Sequence, residues 1–294
     1  VKIIPPITVT ESIYTGGDIP ETDAAAWNSG TSYTIGQQVI YSHSLYEALT
    51  NNTNKTPNAY PADWARVSAT NAWKLFDYTS NSATSQATSF TVELTMPGTY
   101  NALAMFGLVG SRVVISVDYD GDEIYNSETT ITTRPDSAGS WYGFFFGRFV
   151  QISDINKDVP LPLGAVLTVT VYADTGGNAE CAALVVGKLI NIGDTQLGSS
   201  VDSLDFSQIE EDAWGNLNIT PGKKYKTGSL EVVALIENSD YVKRTLESYT
   251  GVPVVYIGSD DFQATKILGI SRAAPMVYRD CALVTFSLEL RSVI

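Results

Sequence analysis

The stretch SFTVELTM, residues 89–96, decides the fold class. Phe90, Val92 and Leu94 alternate with Thr91, Glu93 and Thr95, the period of a strand whose two faces meet different surroundings. Working outward, RVVISVDYDGDEIY (112–125) alternates through Val113, Ile115 and Val117, then turns at Asp120-Gly121, a dipeptide suited to a two-residue hairpin loop. GAVLTVTVYAD (164–174) sets Leu167, Val169 and Val171 opposite Val166, Thr168, Thr170 and Tyr172. DCALVTFSLELRSV (280–293) puts Ala282, Val284, Phe286, Leu288 and Leu290 on one face. One helix fits the chain, in NSDYVKRTLESYTG (238–251). There Ser239 is placed to cap, Val242, Leu246 and Tyr249 share a face, and Gly251 suits the left-handed stop. Pro253 bars continuation, and VPVVYIG reads as the next strand. The pattern predicts a mainly β protein whose last part is a sheet or sandwich with one packed helix.

Composition narrows the function. The 294 residues suffice for two or three domains. With 44% hydrophobic and 17% charged residues, the chain is too apolar and too sparsely charged to be disordered. It has no apolar run of about 18 residues, so no membrane insertion is expected. Its start, VKIIPPITVTESIY, has neither a basic leader nor an apolar core segment, so no secretory signal is expected.

Basic residues number 18 against 32 acidic, a net charge of −14. Residues 1–214 hold 9 basic and 24 acidic groups, a net of −15, and residues 215–294 hold 9 and 8, a net of +1. So acidic a surface repels a phosphate backbone, which argues against nucleic acid as a partner. Lys223, Lys224 and Lys226, beside the turn ITPG, read as a solvated loop.

Catalytic signatures are missing from the sequence, and the expectation is a non-enzyme without cofactor or metal. His43 is the single histidine, in the turn YSHSLY, and reads as solvated. Cys181 and Cys281 make no disulfide framework and no zinc spacing, which fits synthesis in a reducing compartment. In DYDGDE the glycine falls too early for an EF-hand, so Asp118, Asp120 and Asp122 read as a hairpin turn. A glycosidase would need two carboxylates at a fixed separation across a cleft, which an acidic sequence cannot identify by itself.

Four segments follow. Residues 1–23 form an extended arm, whose Ile3, Ile4, Ile7 and Val9 have no partner strand nearby in sequence; it is expected to lie along a neighbour or to be disordered in isolation. Residues 24–69 form a small unit with Trp27, Tyr33, Gly36, Val39, Tyr41, Tyr46 and Trp64. A unit so small must pack with aromatics, and Gly36 suits a positive φ before the strand that follows. Residues 70–180 hold the regular strands, and 181–294 the helix-bearing part. Tyr33, Tyr41, Tyr60 and Trp64 are candidate sugar-stacking rings; the same rings serve equally well as core.

The spacing of Trp27, Tyr33, Gly36, Val39, Tyr46 and Trp64 resembles the small chitin-binding modules of bacterial chitinases, which also occur inside phage tail proteins. In that family, exposed tryptophans after the second strand stack on sugar; here Ala48, Leu49, Thr50, Asn51 and Asn52 stand there. The run from Trp73-Lys74-Leu75-Phe76-Asp77 to Asn101-Ala102-Leu103-Ala104, and on through ALVVGKLINIGDTQLGSS, resembles tail-tip or baseplate (distal-tail-like) proteins of tailed phages.

That resemblance implies a jelly-roll β-sandwich over 70–180 and a tail-tube-like β domain over 181–294. It implies a structural component forming a symmetric homo-oligomeric ring that joins the tail tube to hub or fibre proteins. Such a protein would be made in the bacterial host cytoplasm and reside in the virion. The alternative is a carbohydrate-binding adhesin that recognises a host surface glycan. Asp202, Asp205, Glu210, Glu211 and Asp212 read either as an interface seeking basic groups or as a solvated loop.

Overall fold

The computed structural model describes residues 1–79, 82–133, 150–211, 214, 217–260, 262–272, 275–278 and 281–294. The fold is mainly β, and the one α-helix among the described residues is Ser239–Ser248. The chain divides into two compact units, Thr8–Leu184 and Val1–Ile7 together with Val185–Ile294.

In the first unit an antiparallel five-stranded sheet runs in the order Asp122–Thr130, Arg112–Tyr119, Val166–Tyr172, Ser89–Thr95, Tyr14–Gly17. Phe90, Val92, Leu94, Val113, Ile115, Val117, Leu167, Val169 and Val171 form its buried face. A one-residue slip of any one of these strands would turn its three buried residues to water, at roughly 1.5–3 kcal/mol for each large side chain, so the alternation fixes the register. Tyr100–Phe106 pairs antiparallel with Ile155–Leu161 and is buried from Ala102 onward. Asp120 (φ 54°) and Gly121 (φ 92°) make the expected hairpin turn.

The small module lies within this unit. Its sheet runs Ala25–Ala26, Gln38–Tyr41, Ser44–Ala48, Trp64–Ala69. Tyr33, Val39, Ala48 and Trp64 form the core, with Trp27 and Tyr46 packed on it, so aromatic area replaces the aliphatic bulk that so short a segment lacks. Gly36 has φ 84°, and a side chain there would touch nothing; the dihedral alone calls for glycine.

The second unit is built on a nine-stranded sheet. Its main path runs Ile190–Asn191, Lys2–Ile4, Val254–Ile257, Lys266–Ser271, Leu283–Ser292, Lys224–Leu235, Asp194–Thr195. Val284, Phe286, Leu288 and Leu290 face the core beside Leu230 and Val232, and the helix adds Val242, Leu246 and Tyr249. The helix starts differently from the sequence reading. A 3₁₀ turn, Ile236–Asn238, leads into it, Asn238 holds the cap position, and Ser239 is buried in the first turn. Gly251, at φ 76°, follows the helix end.

The arm expected at 1–23 contributes two strands, Lys2–Ile4 and Tyr14–Gly17, to two different sheets. Lys2–Ile4 is an interior strand, paired with Ile190–Asn191 on one side and Val255–Ile257 on the other. Ile3 and Ile4 are each 1% exposed. Gly187 makes room for the chain just beyond: a Cβ there would stand 2.1 Å from the Pro5 carbonyl oxygen. Further on, Tyr14–Gly17 is the edge strand beside Ser89–Thr95.

The acidic run is likewise strand rather than loop. Ser200–Asp205 pairs with Lys224–Ser229, and Lys224 lies 3.2 Å from Asp205. Lys224 and Lys226 thus belong to a strand, whereas Asp212 lies outside the described residues.

Candidate functional site

The four candidate rings divide by burial. Tyr33 and Trp64 are 7% and 2% exposed and meet edge to face at 5.2 Å, so neither presents a face to a sugar. Trp64 Nε1–H donates to the Lys55 carbonyl at 2.9 Å. The Tyr33 hydroxyl accepts from Asn28 N–H at 2.7 Å and donates to Asn28 O at 3.2 Å. Tyr41 is half-buried, its ring edge-on to Trp27 at 5.6 Å. Tyr60 alone is exposed, at 46%, with Lys55 Nζ 6.0 Å from its centroid. Lys55 is held 2.7 Å from both Asp63 carboxylate oxygens; hydrogen bonds from Lys55 and Thr50 keep the Asp63 carboxyl below its usual range.

His43, expected in solvent, is clamped. Ser42 (φ 45°) and His43 (φ 58°) form the two-residue turn between Gln38–Tyr41 and Ser44–Ala48. That turn carries the imidazole to segment 8–23, where Nδ1 lies 2.8 Å from Glu21 Oε1 and Nε2 2.9 Å from Glu11 Oε1. The ring stacks on Trp73 at 4.3 Å, and Trp73 in turn meets Tyr14 at 5.5 Å. Burial pulls the imidazole pKa down, but the bonds to Glu21 and Glu11 outweigh it and leave it raised. When the ring is protonated both nitrogens donate to the two carboxylates and neither offers a lone pair to a metal. Asp18 accepts from Thr91 N–H at 2.6 Å and Asp23 from Asn71 N–H at 3.0 Å, so the later part of the same segment is fastened as well.

A third feature lies in the other unit. Gln208–Glu211 pairs with Leu217–Thr220 as a separate two-stranded ribbon, with Ile209 opposite Ile219 and Glu211 opposite Leu217. One face carries Ile209, Glu211, Leu217 and Ile219; the other carries Gln208, Glu210, Asn218 and Thr220. Ile209, Leu217 and Ile219 are 65%, 64% and 58% exposed, and Phe206 and Trp214 beside them 53% and 88%. A lone two-stranded hairpin is marginal in water, and an uncovered apolar face on one calls for a partner.

No protein-family model matches the chain, and no curated protein matches it. Among solved structures, it is similar to a GH2 β-galacturonidase from Eisenbergiella tayi bound to glycerol, at 12% identity over 58% of this chain and 26% of that one. The TM-score is 0.23, so this likeness carries no argument about fold or activity. The chain spans about a quarter of that enzyme's length.

The described residues hold no group of three or more His, Cys, Asp or Glu side chains that would bind a metal ion. None of the described helices is long and apolar enough to cross a membrane. Cys181 is buried, its thiol pushed up to about 12, and Cys281 is exposed; both are free.

The ribbon face and the His43 clamp are what sequence reasoning missed. For the ribbon a signal existed: Ile209 and Ile219 sit among Glu210, Glu211, Asn216 and Asn218, an apolar stripe too thinly supported to be core. For His43 no local signal existed, because its partners lie 22 and 32 positions upstream.

Proposed function

We propose that the chain is a structural protein that acts by assembling with copies of itself into a symmetric ring, as tail-tip or baseplate proteins of tailed phages do. The uncovered apolar face of the 208–220 ribbon carries this reading: a monomer gains nothing by holding Ile209, Leu217 and Ile219 in water. Closed symmetry is the usual outcome when a chain covers such a face with copies of itself. The resemblance of the 70–294 region to distal-tail-like proteins supplies the phage setting, with tube, hub and fibre proteins as neighbours. Multi-angle light scattering over a hundredfold concentration range tests the reading. A discrete oligomer larger than a dimer is expected, and a monomer at every concentration would sink it.

A glycan-binding reading survives at one residue. Tyr60 is the exposed ring of the four, so Tyr60→Ala is the substitution to compare on a glycan array. Binding by the parent chain that this variant loses would establish an adhesin role for the small module.

A further inference from the structure

Resting on the ring reading, we propose that the ribbon of one copy seats its apolar face in one particular groove of the next copy, at the root of that copy's own ribbon. The groove holds about 470 Å³ between Ser200–Asp205, Lys224–Leu235, Lys266–Ser271 and Leu283–Ser292. Leu204, Ile270 and Leu290 give it apolar lining, with Leu204 44% exposed. Arg272 and Arg291 line it too, alongside Asp202 and Glu289.

Charge selects this groove. Among the described residues neither arginine has an ion-pair partner; Arg291 only lies over the Tyr225 ring at 5.8 Å. Asp202 and Glu289 line the groove as well, so it is neutral overall, but neither lies within ion-pair distance of the two arginines. The ribbon brings the matching group: Glu211, exposed and without an ion-pair partner among the described residues, sits on the same face as Ile209, Leu217 and Ile219. Apolar side chains meet apolar lining while the Glu211 carboxylate reaches Arg272 and Arg291, a charge-assisted pairing.

A larger groove of about 750 Å³ beside Leu197 and Phe262 is the competing socket. It offers Asp194 and Asp260, with Lys2 already 2.6 Å from Asp260, so Glu211 would enter an acidic site.

Geometry then dictates the assembly. Ribbon and groove are different patches of one chain, so the contact is heterologous and repeats head to tail. Leu204 stands four residues before the ribbon begins, which places each copy's socket next to its own projecting ribbon.

The test uses three versions of the full chain: Glu211→Lys, Arg272→Glu with Arg291→Glu, and all three changes together. Each of the first two should raise the concentration needed for half-assembly at least tenfold in sedimentation velocity, by setting like charges against each other. An equimolar mixture of the two should assemble again, because each then offers the other a matched surface, and the triple variant should assemble alone. Assembly of the first two variants at the parent concentration, or loss that neither mixing nor the triple variant repairs, would overturn the socket while leaving the ring intact. A parent chain that stays monomeric would instead overturn the ring reading itself, and the socket with it.

Discussion

The small aromatic module and the 206–220 ribbon use the same kinds of side chain to opposite ends. In the module, Tyr33 and Trp64 pack edge to face, and each polar handle finds a backbone partner in Asn28 or Lys55. In the ribbon, Phe206, Ile209, Leu217 and Ile219 are all more than half exposed. Four strands and a wrapped loop allow the module to close over its own rings, whereas two strands have one face with nothing behind it. Aromatic content therefore does not mark an exposed surface. An apolar side chain signals a partner only where the local topology offers no way to bury it.

The sharpest way to break this contrast is to hollow out the module. Trp64→Ala removes a 2%-exposed indole and should cost about 3–5 kcal/mol, enough to open residues 24–69 to amide hydrogen exchange while the 112–119 strand stays protected. A variant with unchanged exchange would mean that Trp64 is not the keystone of that core. A milder probe is Tyr33→Phe, which keeps the ring and deletes both hydrogen bonds to Asn28. Because Asn28 lies near solvent and water can replace the lost partner, about 1 kcal/mol is expected by thermal or urea melting.

The module is also tied down by charge, and this sets a pH dependence. His43 has a raised pKa in the folded chain, so its bonds to Glu21 and Glu11 contribute fully below the unfolded imidazole value of about 6.5. Their contribution falls as pH rises through the folded value, where a neutral ring can donate from one nitrogen only and turns a lone pair towards the other carboxylate. Glu21 is the better-shielded partner, with 28% of its side chain exposed against 79% for Glu11. Amide exchange across residues 8–23, corrected for intrinsic base catalysis, should rise between pH 6 and pH 9 in the parent chain. His43→Asn, which keeps a side chain that tolerates φ 58°, should flatten that slope. An equal slope in both would show that the clamp does not hold the segment.

These cases also show which parts of the molecule could be read from its sequence. Alternation in 89–96, 112–119 and 166–172 announced buried faces because strand period and burial are local properties of the chain. Lys2–Ile4 gave no such notice. Three residues are too few to show a period, and their sheet partners stand at 190–191 and 255–257, so only the completed fold reveals the strand as interior. His43 failed for the same reason, its two carboxylates arriving from a segment that looked unstructured. The candidate rings failed differently: residue type predicted aromatic stacking correctly but not against what, and Tyr33 and Trp64 stack on each other.

The smallest expected effect is the most telling about the ribbon. Ile209→Ser with Ile219→Ser changes two cross-strand partners that are 65% and 58% exposed. In a sample dilute enough to be monomeric, the unfolding free energy should shift by no more than about 0.5 kcal/mol, because little apolar area leaves water on folding at either position. Loss of a larger amount in the monomer would mean that the face is covered within its own chain. In a concentrated sample the parent should melt higher than the variant by a margin that grows with concentration, since only self-association stabilises the folded chain by mass action. A gap between the two melting curves that opens with concentration locates the missing cover in another molecule, and a gap that stays constant locates it in the same one.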